Sequence, residues 1–128
     1  MKMKLLTFTA IVAGILAIGS AANAATCEGG TLETGENGHV YCRSNRDMNW
    51  WSANAWCEAQ GRHLATMYEL CPVWDGTKGG DRCANTNDGF DGSGWTKTAF
   101  QQNYAFTVYP SGTVDADGRT YKRFAFCY

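Results

Sequence analysis

The stretch Asn49–Ala65 reads NWWSANAWCEAQGRHLA and holds three of the chain's five tryptophans, Trp50, Trp51 and Trp56. Its spacing decides the fold. Asn49 has a side chain that accepts a bond from an orphan backbone N–H at a helix start. Trp50, Ala53, Cys57 and Gln60 then recur at intervals of three and four, which is one face of a helix. Gly61 stands where a helix ends, because glycine turns left-handed without penalty. These signals predict a helix over 49–60. Trp50 falls on its inward face and is expected in the core. Trp51 and Trp56 fall off that face, one covering a sheet edge or hairpin and the other half exposed.

Upstream, Lys2 and Lys4 precede an apolar run from Leu5 to Ile18 that closes on Ala22-Asn23-Ala24. A charged start, an apolar middle and small residues at the exit predict a secretory signal peptide over 1–24. The run is short for a membrane span, so export without an anchor is expected, to the periplasm or the exterior. Residues 25–128 are then one domain with one modest core. Without Lys2 and Lys4 that domain carries nine basic and 12 acidic residues, a net charge of −3. No basic stripe is present, and nucleic acid is excluded as a partner on that ground.

All six cysteines, at 27, 42, 57, 71, 83 and 127, lie in 25–128. An even count in a small exported chain reads as three disulfides. Zinc is a poor alternative: there is no C-x-x-C, and His39 and His63 sit at no ligand spacing from the cysteines. Six cysteines admit 15 pairings, and sequence alone does not choose among them.

Residues 26–43 alternate glycines with short β-capable pieces, suggesting a hairpin or loose loop closed by Cys27–Cys42. Downstream of the helix, Thr66-Met67-Tyr68-Glu69 is a capping-box pattern, and a short second helix around 67–71 is predicted before Pro72. Residues 72–94 show no periodic apolar face and read as a long loop, fixed in part by Cys71–Cys83. Strands follow at Gly94–Thr98 and Tyr104–Tyr109, with a turn at Pro110-Ser111-Gly112 and a return from Thr113. Asp117-Gly118 is a hairpin-turn signal. Tyr121–Tyr128 closes the chain, with Phe124 and Phe126 on one face and Cys127 on the other. Hairpin, two helices, long loop and antiparallel meander make an α+β order.

The run Trp50-x-x-Ala53-x-x-x-Cys57-x-x-x-Gly61-x-x-Leu64-Ala65 resembles the first-helix signature of the C-type lectin-like domain. The resemblance implies a bridge from Cys57 to Cys127 in the last strand. It also implies an N-terminal hairpin closed by an extra bridge, which Cys27 and Cys42 match. Trp95-Thr96, then Asn103-Tyr104-Ala105-Phe106-x-Val108, a turn at Gly112 and Cys127 in an aromatic strand are similar to exported bacterial adhesin-like members. The likeness spans Cys27 to Tyr128. It implies a twisted antiparallel sheet with two helices, a long loop and three disulfides. The Glu-Pro-Asn or Gln-Pro-Asp and Trp-Asn-Asp tripeptides of calcium-dependent sugar binders are absent from the sequence, so that activity does not carry over.

No catalytic set stands out. No G-x-S-x-G, phosphate loop or dinucleotide fingerprint occurs, and neither histidine has a nucleophile at a readable spacing. The chain is therefore not expected to be an enzyme. Asn85-Thr86-Asn87-Asp88-Gly89-Phe90-Asp91-Gly92 groups oxygen donors as a calcium loop does. It lacks the closing Glu, so a turn-rich loop and no cofactor are expected. Asp115-Ala116-Asp117-Gly118 reads as a turn for the same reason.

A ligand is expected on the long loop and the adjoining strands. Trp74 and Asp75, with Asn85, Asn87, Asp88, Phe90 and Asp91, combine rings that stack with oxygens that bind hydroxyls. The last strands carry Tyr109, Arg119, Tyr121, Lys122 and Arg123; Tyr and Arg are favoured at interface hot spots, while an exposed cationic strand equally suits a protected sheet edge. The predicted function is non-catalytic recognition of a surface glycan or a partner protein, as in an adhesin. A structural subunit of a pilus or envelope assembly, a homo-oligomer among them, is the alternative.

Overall fold

The computed structural model describes residues 25–34, 38–80, 83, 93–109 and 111–128. The expected leader and the expected ligand-binding residues Asn85, Asn87, Asp88, Phe90 and Asp91 lie outside these.

Strands β1 (Gly30–Thr34) and β2 (Val40–Ser44) form the N-terminal hairpin, with Gly30 opposite Ser44 and Thr34 opposite Val40. Helices α1 (Trp50–Ala59) and α2 (Met67–Leu70) follow. Then come β3 (Gly94–Phe100), β4 (Tyr104–Val108), β5 (Val114–Gly118) and β6 (Phe124–Cys127). Two helices accompany one six-stranded sheet in the order β1-β2-β6-β3-β4-β5, an α+β architecture.

The helix signals act as local chemistry dictates. The Asn49 side chain accepts the Ser52 N–H. Beyond the C-terminal residue of α1, Gly61 at φ +71° allows Arg62 N–H to reach Cys57 O and Gly61 N–H to reach Glu58 O. Those bonds satisfy carbonyls that the helix would otherwise leave open. Before α2, Thr66 Oγ1 accepts the Glu69 N–H while the Glu69 carboxylate accepts the Thr66 N–H, a complete capping box.

The sheet departs from the antiparallel meander that the sequence order suggests. β6 inserts between β2 and β3, antiparallel to the first and parallel to the second. Ala125, Phe126 and Cys127 are fully buried, so this last strand is apolar toward both layers and belongs at the sheet's centre. Asp117-Gly118 also departs from expectation. The pair ends β5, opposite Ala105 and Tyr104, and is not a hairpin turn. The Asp117 carboxylate binds Thr107 Oγ1 and Arg123 Nε across the sheet, an arrangement a free turn could not provide. The turn comes later, where Tyr121 N–H reaches Gly118 O. β3 runs to Phe100, beyond the expected Thr98, through an irregularity in register between Trp95 and Ala99.

Alternation along the strands divides the core. Tyr41, Phe106, Val108 and Phe126 face Met67, Leu70 and Trp74. Cys42, Ala105, Ala125 and Cys127 face Ala53, Cys57 and Leu64 of the α1 layer, together with Trp95. Three disulfides, Cys27–Cys42, Cys57–Cys127 and Cys71–Cys83, tie the hairpin, α1 and the start of the long loop to this frame. Among the described residues no helix is long and apolar enough to cross a membrane.

Candidate functional site

Of the three clustered tryptophans, Trp56 packs on the β1–β2 hairpin, its ring edge against Gly30. Trp50 is half-buried, and its indole N–H donates to Thr96 O. Trp51 keeps 53% of its surface exposed, the most open tryptophan among those described. Trp50, expected in the core, is only partly buried against it, with the Arg119 guanidinium over its ring; Trp56 on the hairpin and exposed Trp51 fit the expectation for the two off-face rings.

Trp51 borders a cleft of about 550 Å³. Asn103 and Tyr104 bring the start of β4 to it, and Ala116, Asp117 and Gly118 bring the end of β5. Arg119, Thr120 and Tyr121 of the following connector complete the wall. Tyr104 is 44% and Tyr121 58% exposed, so three large rings turn toward one opening. A further exposed ring among the described residues, Tyr68 at 57%, lies on α2 away from this opening.

The connector is held in place by α1. Arg119 N–H donates to Asn103 O, and Trp50 N–H donates to Arg119 O, both at 3.0 Å. Arg119 Nε donates to Tyr104 O at 3.3 Å, and its guanidinium carbon lies 4.3 Å from the centroid of the Trp50 ring. Arg123 exchanges backbone hydrogen bonds with Met48 and pairs with Asp117 at 3.0 Å. The wall is thus rigid in backbone and open in side chains.

Tyr121 lies in this cleft, and Arg123 buttresses it through Asp117. The other described candidates do not join them. Trp74 is 7% exposed, wedged between Tyr68 and Phe106, and its indole N–H donates to Thr77 O. It plugs the start of the long loop onto the core. Asp75 accepts the Thr77 N–H and hydroxyl in a local turn. Tyr109 follows the end of β4 opposite to the one that carries Tyr104. Arg119, one of the cationic residues read from the last strands, does line the cleft, whereas Trp51, Asn103, Tyr104 and Thr120 escaped sequence reasoning because they come from separate segments. The available signal was that Trp51 falls off the buried face of its helix.

His63 Nε2 sits 2.8 Å from Glu69 Oε2, on an open surface, with both side chains partly exposed. Burial acts on Glu69 first and upward, but the Thr66 N–H, the His63 hydrogen bond and the His63 charge outweigh it and hold the carboxyl below its ordinary value. The pair works as a brace between the end of α1 and the cap of α2. The cysteines, all bridged, offer no thiolate. Tyr41 Oη is buried without a hydrogen-bond partner, and burial, then the Glu33 charge, push its ionisation upward. It is therefore a neutral core phenol. Among the described residues, no group of three His, Cys, Asp or Glu side chains is placed to hold a metal ion.

No protein-family profile and no curated protein matches the chain. The cleft's own chemistry is stacking on rings, hydrogen bonding to amide and hydroxyl groups, and one cation held in place.

Proposed function

We propose that the chain is an exported, non-catalytic recognition module with a C-type lectin-like fold, and that the cleft beside Trp51 holds a surface glycan or a segment of a partner protein. The observation that carries this reading is the convergence of Trp51, Tyr104 and Tyr121, each at least 44% exposed, on one opening in a disulfide-braced frame. Aromatic faces stack on the C–H faces of sugars, and nearby amides and hydroxyls fix orientation. The lectin-like assignment is supported by the bridge from α1 to the last strand and by the hairpin closed by Cys27–Cys42. Export is supported by the charged and apolar start of the sequence and by three disulfides.

The test is a glycan array probed with residues 25–128, with the Trp51→Ala and Tyr121→Ala variants in parallel. Retention of the parent on a saccharide, reduced by either substitution and unchanged by a chelator, is the expected result. Retention that both variants keep in full would move the site away from this cleft. Hydrolysis of the retained saccharide, abolished by changing His63, would make the chain an enzyme.

A second reading, a structural subunit that packs with copies of itself, draws on the outer hairpin. Leu32 is 57% exposed on the edge strand β1, and Val40 is 49% exposed on its neighbour β2. Free strand edges with apolar side chains invite pairing. Light scattering decides: a stable oligomer that Leu32→Lys dissociates and that holds no glycan favours assembly.

A further inference from the structure

We infer that the cleft is built for an acidic saccharide, with Arg119 gripping the carboxylate of a uronic-acid residue while Trp51 and Tyr121 stack on the sugar rings. This rests on the reading of the cleft as a recognition site.

Arg119 is fixed at four points before any ligand arrives: its N–H, its carbonyl, its Nε and the face of its guanidinium. A guanidinium has five N–H donors, and Tyr104 O takes the one on Nε. The terminal amino groups remain as a planar fork, the shape that meets a carboxylate with two parallel bonds. No carboxylate among the described residues pairs with them. An arginine already immobilised loses little further freedom on binding, so more of its interaction appears as affinity.

The surrounding charge favours an anion. Among the described residues Asp117 is the one carboxylate lining the cleft, and Arg123 Nε and Thr107 Oγ1 already engage it. Arg119 is then an uncompensated cation in the wall, although the domain as a whole is acidic. It lies at the N-terminus of α1, where the cap is a neutral asparagine and the first turn holds no acidic residue. The first turn of α1 thus adds no negative charge beside the arginine.

The remaining walls select a saccharide over an acidic peptide. Among the described residues Ala116 is the sole aliphatic side chain in the lining, so the cleft offers little to the apolar anchors of a docked peptide. What lines the cleft instead is ring faces with Asn103 and Thr120, which suit a surface of hydroxyls and C–H groups. A volume of about 550 Å³ lies within the ordinary span of small-ligand sites and accommodates a short oligosaccharide segment.

Calorimetric titration of residues 25–128 with tetramers of galacturonate, glucuronate and mannuronate tests this, each beside its carboxyl-reduced neutral counterpart. At least one uronate is expected to bind, and its reduced form about tenfold or more weakly, the loss that a charge-assisted hydrogen bond implies. Arg119→Gln should reproduce that loss and remove the salt dependence, while Arg119→Lys should recover only part of the affinity. Because Arg119 also braces the connector, thermal melting accompanies each variant, and the reduced ligands on the unaltered protein decide independently of them. Equal binding of a uronate and its neutral form, sensitive to Trp51→Ala, would overturn the acidic preference and leave the recognition cleft standing. Absence of binding by every uronate and every neutral form would overturn the saccharide assignment. Indifference of uronate binding to Trp51→Ala and Tyr121→Ala would overturn the cleft itself. Competition by a glutamate oligopeptide or a sulfated neutral tetramer at equal strength would overturn the assignment to a uronate.

Discussion

The ring of Phe126 occupies the space into which a side chain on Gly94 would project. A Cβ built on Gly94 would overlap Cε2, Cζ and Cδ2 of that ring. Both residues sit at the centre of the sheet, where parallel β3 and β6 meet, and both are buried. Gly94→Ala should therefore cost at least about 2–3 kcal/mol, the upper range for overpacking a filled core. Urea unfolding measures it. Phe126→Leu in the same chain should return part of that loss, since it vacates the contested space. A fully additive double variant would show that the two residues do not collide.

The bridges differ in the length of chain they close. Cys57–Cys127 spans 70 residues, Cys27–Cys42 spans 15 and Cys71–Cys83 spans 12. Chain entropy assigns about 4 kcal/mol to the first and about 3 kcal/mol to each of the others. Replacing Cys57 and Cys127 with alanine should be the most damaging of the three pair replacements, because it also releases α1 from the central strand. Denaturant midpoints of the three double variants rank them. A larger loss from the hairpin pair would contradict this order.

What was legible in the sequence was what short range decides. Asn49, Gly61 and the Thr66–Glu69 box act on their own backbone, so α1 and α2 fall within a residue or so of their predicted limits. The placement of β6 is a long-range matter. Tyr121–Tyr128 reads as a strand from its own residues, but Phe124 and Ala125 find their parallel neighbours Gly94 and Trp95 only when distant segments of the chain come together. Asp117-Gly118 was misleading because turn propensity is weak beside the bonds Asp117 makes to Thr107 and Arg123. The cleft was illegible for a related reason: its walls come from α1, β4, β5 and the connector, and no local pattern ties Trp51 to Tyr104 or Arg119. Sequence did point to Arg119, Tyr121 and Arg123, as residue types suited to recognition, without the partners that make them a site.

Glu69 links acid stability to a cap. In the folded chain its carboxyl titrates below the ordinary 4.5, held down by Thr66 and His63 against the effect of burial. A group whose folded pKa is depressed adds stability above its unfolded pKa and loses it as pH falls through the folded one. Stability should therefore decline as the pH drops below 4.5, and Glu69→Gln should flatten that decline while still accepting the Thr66 N–H. Urea midpoints from about pH 3 to pH 6 give both curves. Parallel curves for the two proteins would remove Glu69 as a source of the acid sensitivity.

The adjacent tryptophans should separate folding from recognition. Trp50, the first residue of α1, packs against the core, donates to Thr96 O and carries Arg119 on its ring. Trp51 meets Trp50 edge-on and is otherwise open to the cleft. Trp50→Ala should cost about 2–3 kcal/mol, somewhat less than a fully buried tryptophan, and should weaken ligand binding because Arg119 loses its rest. Trp50→Phe keeps a ring beneath Arg119 and forfeits the Thr96 bond, so it should cost about 1 kcal/mol and retain most of the binding. Trp51→Ala should lower stability by less than about 1 kcal/mol, since little of its surface is buried, yet reduce binding the most. Thermal melting and calorimetry on the three variants give the two columns independently. If Trp51→Ala lowers stability as far as Trp50→Ala does, Trp51 is part of the fold, and its exposure has another explanation than recognition.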